Sequence, residues 1–424
     1  MKSEREHNAL KPYLGLWSAT AISVGAIIGG GIFVVTGIVA DLAGSALVVS
    51  MVIAAVIAVF TALGFAELTA WKPIEGSVYE YACQLLSPFS GFLTGWMWII
   101  SNTFAGAAVA LGFAYYFTAA IPVLQANAVA AIICVAFTAL NFVGIRQSAF
   151  FNSVLVATKL VILAFFVVFG LMHINTANFS PFAPFESGVF YGAFFIFFAY
   201  GGFARVAVVA EEVKDPKRNV PKAILLSLAI STVVYILVGA VAVGLVGPTG
   251  LAASNSPLTE AISATGSSLA MQIVSIGGLV ATASVLLTSV LGVSRVVYAM
   301  AKRKDMPQAL NKLHEKFGTP YYSIWITGFV MALLVLFVDL TRVVAVSTFA
   351  ILFYYAVANV AAFKLKTLNR RYRKVVNALG LSTCLVLLAF VLFAATQAWI
   401  IGVICLAVGA VFYAVKKFVP RRNS

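Results

Sequence analysis

Lys159 sits in the middle of the apolar run from Asn152 to Leu171, where a charge has no ordinary reason to be. An ammonium near the centre of a bilayer costs at least ~2.5–3.5 kcal/mol and marks an ion or proton pathway by default. A lysine near a helix end avoids that cost by snorkelling to the interface. Lys159 lies about ten residues, or ~15 Å at the helical rise, from either flank, beyond the reach of its side chain. It is therefore expected to be buried and functional.

Two glycine runs add a second chemistry. Gly25-Ala26-Ile27-Ile28-Gly29-Gly30-Gly31-Ile32-Phe33 places three consecutive glycines within the first apolar segment, and Phe198-Ala199-Tyr200-Gly201-Gly202-Phe203 repeats the device in the sixth. Each glycine weakens a helix by about 1 kcal/mol relative to alanine, so both runs favour unwound points. Close packing by small residues would explain a single pair. Two runs five segments apart fit paired broken helices in an inverted repeat better. At such breaks the amides of one half-helix N-terminus hold a carboxylate, and freed carbonyls hold an ammonium. Those paired needs describe a zwitterionic amino acid. Gly29, Gly30 and Gly31 are expected to offer the amides, and Phe198, Ala199 and Gly201 the carbonyls, with Ile28 and Gly202 completing the set. Phe203 is expected to fold over the ligand as an apolar lid.

Long apolar segments must position these residues. The 424 residues are 62% hydrophobic and only 10% charged, and the apolar stretches exceed the ~20 residues that cross a hydrocarbon core as helix. The pattern predicts an all-α polytopic membrane protein with twelve helices near 14–39, 45–70, 90–119, 127–144, 149–173, 188–212, 221–247, 268–301, 322–338, 343–364, 375–396 and 398–415. The head, Met1 to Lys11, has neither the apolar core nor the cleavage site of a signal peptide, so the first span is expected to be retained.

Basic residues alternate between loops: Lys72, Arg146, the Lys214/Lys217/Arg218/Lys222 group, Lys302 to Lys316 and Lys364 to Lys374 on one face, joined by Lys2, Arg5, Lys11, Lys416, Lys417, Arg421 and Arg422 of the tails. The other face has Arg342 alone, beside Asp41, Glu186, Glu260 and Asp339. The positive-inside rule then places both termini in the cytoplasm and the protein in the cell membrane. It also accounts for the net charge of +14 without nucleic acid, and the basic loops are expected to touch anionic lipid. Cys83, Cys134, Cys384 and Cys405 show no metal-ligand spacing, and His7, His173 and His314 form no cluster. No catalytic triad, phosphate loop or metal motif is present, so no enzyme activity and no cofactor are expected.

At this point a resemblance becomes visible. The two glycine runs, the stretch Glu211-Glu212-Val213-Lys214-Asp215-Pro216-Lys217-Arg218-Asn219-Val220-Pro221 and Ser294-Arg295-Val296-Val297-Tyr298-Ala299-Met300-Ala301 resemble signatures of the amino acid, polyamine and organocation transporter superfamily, in order and over almost the whole chain. The likeness is to its proton-coupled amino acid transporters and the cationic amino acid transporter branch, whose fifth helix carries a lysine where Lys159 stands. It implies a tail (1–13), a first five-helix repeat (14–173), an inverted second repeat (188–368), two extra helices (374–415) and a closing tail (416–424). In sodium-coupled relatives of this architecture the place of Lys159 is a sodium site, so a fixed ammonium would replace the ion and no sodium is expected.

Two departures matter. Gly30 stands where a small hydroxyl residue is usual, leaving binding to the amides. Ala204 replaces a frequent acidic residue and is followed by Arg205, which either pairs with Glu67 or Glu211, or faces the cavity and disfavours cationic substrates. The expected activity is proton-coupled uptake of neutral, mainly apolar amino acids. An exchanger or exporter of the same fold, an acidic amino acid carrier and a nontransporting sensor are the alternatives. Lys159 is expected to donate to the Gly25 carbonyl and to the hydroxyl of Ser284, or of Thr288 one turn on, and to lose its proton when closure strips its water. Asn102, Tyr200 and Phe349 are expected to help line the pocket, and Glu211 and Glu212 to cap the sixth helix.

Overall fold

The computed structural model describes residues 13–74, 77–122, 124–143, 149–367 and 370–418. Of the basic and histidine positions weighed above, Lys2, Arg5, His7, Lys11, Arg146, Arg421 and Arg422 lie outside them. The described residues are nearly all helical and contain no strand beyond an isolated bridge between Leu14 and Val213.

In chain order the helices are α1 (Leu16–Ile27), α2 (Thr36–Ala43), α3 (Leu47–Trp71), α4 (Ser77–Leu85), α5 (Pro88–Ala120), α6 (Ala126–Val143), α7 (Ala149–Leu171), α8 (Ser187–Tyr200), α9 (Arg205–Val208), α10 (Pro216–Ala252), α11 (Pro257–Ser263), α12 (Ser268–Lys302), α13 (Tyr321–Phe337), α14 (Leu340–Lys364), α15 (Lys374–Ala394) and α16 (Thr396–Phe418). Ten apolar helical stretches among the described residues are long enough to cross a membrane. The first, Leu16–Trp71, holds 56 residues, more than twice what one crossing needs, and it divides at Gly44, whose φ of 57° ends α2. With that division and the shorter α13, the twelve expected segments are accounted for. α4 is the addition: an amphipathic helix between the second and third spans that hydropathy alone passes over.

Both anticipated breaks are present. α1 ends at Ile27, Ile28 leaves helical geometry with ψ 81°, and helix resumes at Gly30 through a wider π turn, Gly31–Val35, before α2. α8 ends at Tyr200, and the chain passes through turns to α9. The first break is shorter than the three glycines suggest, because Gly30 already has helical φ and ψ of −56° and −27°. The seventh span is longer than expected and kinks at Gly247, which takes φ 70° just before Pro248.

The broken pair forms the centre. α8 packs against α2 and α3, α10 runs beside α1 and α3, and α7 contacts α1, α10 and α12. α7 shows why a lysine can sit on it: Val154, Val161 and Val168 are exposed on one face toward lipid, while Val156, Lys159 and Leu163 are buried on the other. Basic loops gather at one end of the bundle. Arg371 donates to the Lys217 carbonyl, Arg303 pairs with Glu80 of α4 at 2.5 Å, and Lys416 pairs with Asp305 at 2.6 Å. The segments holding Ser45, Asn175 and Pro181 meet at the opposite end, where the Asn175 amide donates to Gly244 O of α10 at 2.8 Å.

The glycines of the breaks bring backbones together. A Cβ on Gly31 would stand 2.4 Å from the Ala199 Cβ, and one on Gly202 would stand 2.4 Å from the Ala26 carbonyl carbon and 2.6 Å from its oxygen. Gly202→Ala should therefore push the two broken spans apart, at the ~1–3 kcal/mol typical of overpacking. Its unfolding midpoint in detergent is expected to fall below that of the wild type, and an unchanged midpoint would show that the breaks are not in contact.

Candidate functional site

Freed backbone groups inside a membrane must find partners, since hydrocarbon offers none. Around the breaks, side chains supply them. Tyr235 of α10 donates to Ile27 O at 2.6 Å and lies 3.2 Å from Ala199 O, joining both breaks with one hydroxyl. Tyr355 of α14 donates to Gly201 O at 2.8 Å, Tyr116 of α5 to Phe33 O at 2.7 Å, and Ser23 of α1 to Phe203 O at 2.9 Å.

Lys159 performs the same service with a charge. It is 2% exposed, and its Nζ donates to Gly25 O at 3.3 Å. Gly25 lies in the last turn of α1, the negative end of that half-helix dipole, where a cation is favoured. Gly25 is also the residue that permits the approach, because a Cβ there would meet Val156 of α7 at 2.8 Å.

The expected hydroxyl partners are not brought to the ammonium. Ser284 donates to Ala281 O at 3.0 Å, and Thr288 to Ser284 O at 3.1 Å and Val285 O at 3.0 Å, so each is engaged by its own helix. Among the described residues, the Gly25 carbonyl is the hydrogen-bond acceptor of Lys159.

Between the breaks lies a cavity of about 50 Å³, lined from the first span by Ala26, Ile27, Gly30 and Gly31 and from the sixth by Phe198, Ala199, Gly201, Gly202 and Arg205. α5 contributes Asn102, and α12 contributes Val285 and Ser289. Gly30 and Gly31 stand in the first turn after the break, where amides lack intrahelical acceptors and the dipole is positive. Ser289 is 1% exposed, and its hydroxyl has no hydrogen-bond partner among the described residues.

Several expected positions are corrected. Ile28 and Gly29 fall outside the lining: Ile28 is buried, and the Cα of Gly29 faces Val285 so closely that a Cβ would lie 2.3 Å from its methyl. Phe203 is no lid, being fully buried between the rings of Phe65 and Tyr355, with centroids at 5.8 and 4.9 Å. Tyr200 points to Met51 O at 3.3 Å, and Phe349 packs on Trp399. The carbonyls of Ala199 and Gly201 already accept from tyrosines, and Phe198 O accepts from the Gly201 amide at 3.2 Å, leaving one lone pair on each for a ligand.

Arg205 does not pair with Glu67, which instead accepts from the amides of Arg371 and Tyr372 and lies 4.0 Å from Arg370. Glu212 receives the Tyr13 hydroxyl at 3.0 Å, so it anchors the segment before α1 rather than capping a helix. Tyr235, Tyr355 and Ser289 were not foreseen. A tyrosine or serine on an apolar span carries no sequence signal until a break opposite it is located.

The profile of the family described as amino acid permease matches residues 14–415. An uncharacterized transporter of Mycobacterium tuberculosis is 37% identical over 97% of this chain and 93% of its own length. The branched-chain amino acid permease BcaP of Bacillus subtilis is 32% identical over 84% of this chain and 82% of its own. Cationic amino acid transporter 4 of Mus musculus is 33% identical over 79% of this chain and 57% of its own.

Removing the Tyr235 hydroxyl should take from Ile27 O its donor and from Ala199 O a longer, shared contact, a loss of ~1–3 kcal/mol. Tyr235→Phe is expected to lose more monodisperse protein on heating, followed by size-exclusion elution, than Tyr200→Phe, whose hydroxyl contacts Met51 O at 3.3 Å and Thr232, neither of them at a break. Equal losses would deny Tyr235 its role at both breaks.

Proposed function

This chain belongs to the amino acid permease family of multi-pass membrane transporters, and we propose that it is a proton-coupled carrier of neutral, mainly apolar amino acids in the cell membrane. The observation that carries this reading is the bond from the buried Lys159 ammonium to the Gly25 carbonyl. It places a titratable charge on the half-helix whose break opens into the cavity.

Binding would divide by charge. The amides after the first break, at Gly30 and Gly31, take the carboxylate, and the carbonyls of Phe198 and Ala199 at the end of α8 take the ammonium. Ser289 and Asn102 add polar contacts from α12 and α5. Any amino acid satisfies this pair of sites, so selectivity falls to the rest of the lining. There Val109, Val285, Ile351 and Phe198 are apolar, no carboxylate is present, and Arg205 is the charged residue. A cationic side chain would enter without a counter-ion and beside a guanidinium. The relatives are named for both branched-chain and cationic substrates, so the choice rests on this lining.

Coupling follows from α1. Rocking of the first repeat (14–173) against the inverted second (188–368) would carry Gly25 relative to α7, alternating the amine between a wet and a dry setting. Its charge costs differ between the two, which ties protonation to conformation. The basic loops that meet at one end of the bundle support cytoplasmic termini.

In proteoliposomes, Lys159→Ala should abolish accumulation of leucine against its gradient under an imposed proton gradient, with sodium making no difference. Normal accumulation by the variant, or a sodium requirement in the wild type, would refute the coupling. In competition for uptake, alanine, leucine and phenylalanine should inhibit strongly and arginine and lysine weakly; the reverse order would refute the substrate class.

A further inference from the structure

Resting on the carrier reading above, we propose that Arg205 is a second carboxylate site, set where the central cavity meets a smaller one toward α4. That second cavity, of about 20 Å³, is lined by Val78 of α4 and shares Asn102, Gly201, Arg205 and Tyr354 with the first. Arg205 is the charged side chain in either lining.

Its present bonds are weak for a guanidinium. Nη2 donates to Asn102 Oδ1 at 3.1 Å and Nη1 to Thr288 O at 3.4 Å, both neutral acceptors. A guanidinium carries five N–H donors, and among the described residues no carboxylate forms an ion pair with Arg205. The group lies along α12 at Gly292, where a Cβ would stand 3.0 Å from Nη1. A glycine there leaves the guanidinium room beside the helix while Arg205 lines both cavities.

A carboxylate accepts two parallel N–H bonds from such a fork, and charge-assisted bonds are roughly twice as strong as neutral ones. It would therefore displace Asn102 and Thr288 as acceptors. The position adjoins the Gly30 amides through one continuous lining, so a carboxylate leaving the first break toward α4 meets Arg205 next. Two sources fit this chemistry: the α-carboxylate of every substrate in transit, or the side-chain carboxylate of an acidic one.

Counterflow of labelled leucine and labelled glutamate in proteoliposomes separates them. Arg205→Gln should raise KM by about tenfold or more, as expected for losing a charged hydrogen bond. A rise for both substrates assigns the site to the α-carboxylate, and a rise for glutamate alone assigns it to the side chain. Values within about twofold of wild type for both would overturn the proposal. Should Arg205→Gln fail to fold, Arg205→Lys and Gly292→Ala carry the test. The first keeps the charge without the fork and the second displaces the guanidinium, so each should raise KM by about threefold. Unchanged KM in both overturns the site. A wild type that moves neither amino acid removes the carrier reading itself, and the subsite with it.

Discussion

Every backbone amide and carbonyl within a membrane needs a partner from the protein, and this requirement shapes the whole centre of the molecule. Two spans are interrupted, and each interruption frees groups that lipid will not satisfy. The response comes from neighbouring helices: Tyr235 bridges Ile27 and Ala199, Tyr355 reaches Gly201, and Lys159 reaches Gly25. The breaks are thus fixed by side chains on α10, α14 and α7. Any movement of those helices relative to α1 and α8 would change how the breaks are satisfied. The glycines serve the same end by contact, since Gly202 against Ala26 and Gly31 against Ala199 leave no space for a methyl.

Two cations face this backbone, Lys159 buried and Arg205 half-buried, and they are held differently. Lys159 donates to the last turn of α1, where dipole and carbonyl both favour it. Arg205 bridges from the sixth span to Asn102 on α5 and Thr288 on α12, at distances of 3.1 and 3.4 Å. Neither forms an ion pair with a carboxylate among the described residues. A cation held in the interior by neutral acceptors alone stays responsive to an anion or proton change nearby, whereas a closed ion pair would not. In the loops the opposite holds: Arg303 with Glu80 and Lys416 with Asp305 are paired, and they tie α4 and α16 to the end of α12.

The spans, the two breaks and the burial of a charge at Lys159 were legible in the sequence from local rules, while the choice of Gly25 as its partner, 134 residues away, followed from the family resemblance. Long apolar runs cross membranes, adjacent glycines unwind them, and an ammonium in mid-span seeks a carbonyl. Less legible was anything that depends on rotation about a helix axis. Ser284 and Ser289 lie five residues apart on α12, yet Ser289 faces the cavity while the Ser284 hydroxyl is spent on its own helix. Phe203 follows the break directly but turns into the aromatic stack of Phe65 and Tyr355. α4 escaped because its amphipathic pattern is too short and too polar for a hydropathy reading.

The two half-helix ends at the first break are not equivalent, and this asymmetry sets the polarity of the site. The carbonyl end of α1 is occupied by the protein's own ammonium through Gly25, and Ile27 O is taken by Tyr235. The amide end, beginning at Gly30, opens on the cavity instead. In the proposed binding mode a ligand entering there would meet positive potential from the first span and turn its negative group toward α2. Its positive group would then lie at the end of α8, where the Phe198 and Ala199 carbonyls retain a lone pair each. The orientation of a zwitterion would in that mode be set before its side chain makes any contact. What remains for the side chain is the apolar wall of Val109, Val285 and Ile351, which rewards burial of carbon and gives a second charge no partner except the Arg205 guanidinium.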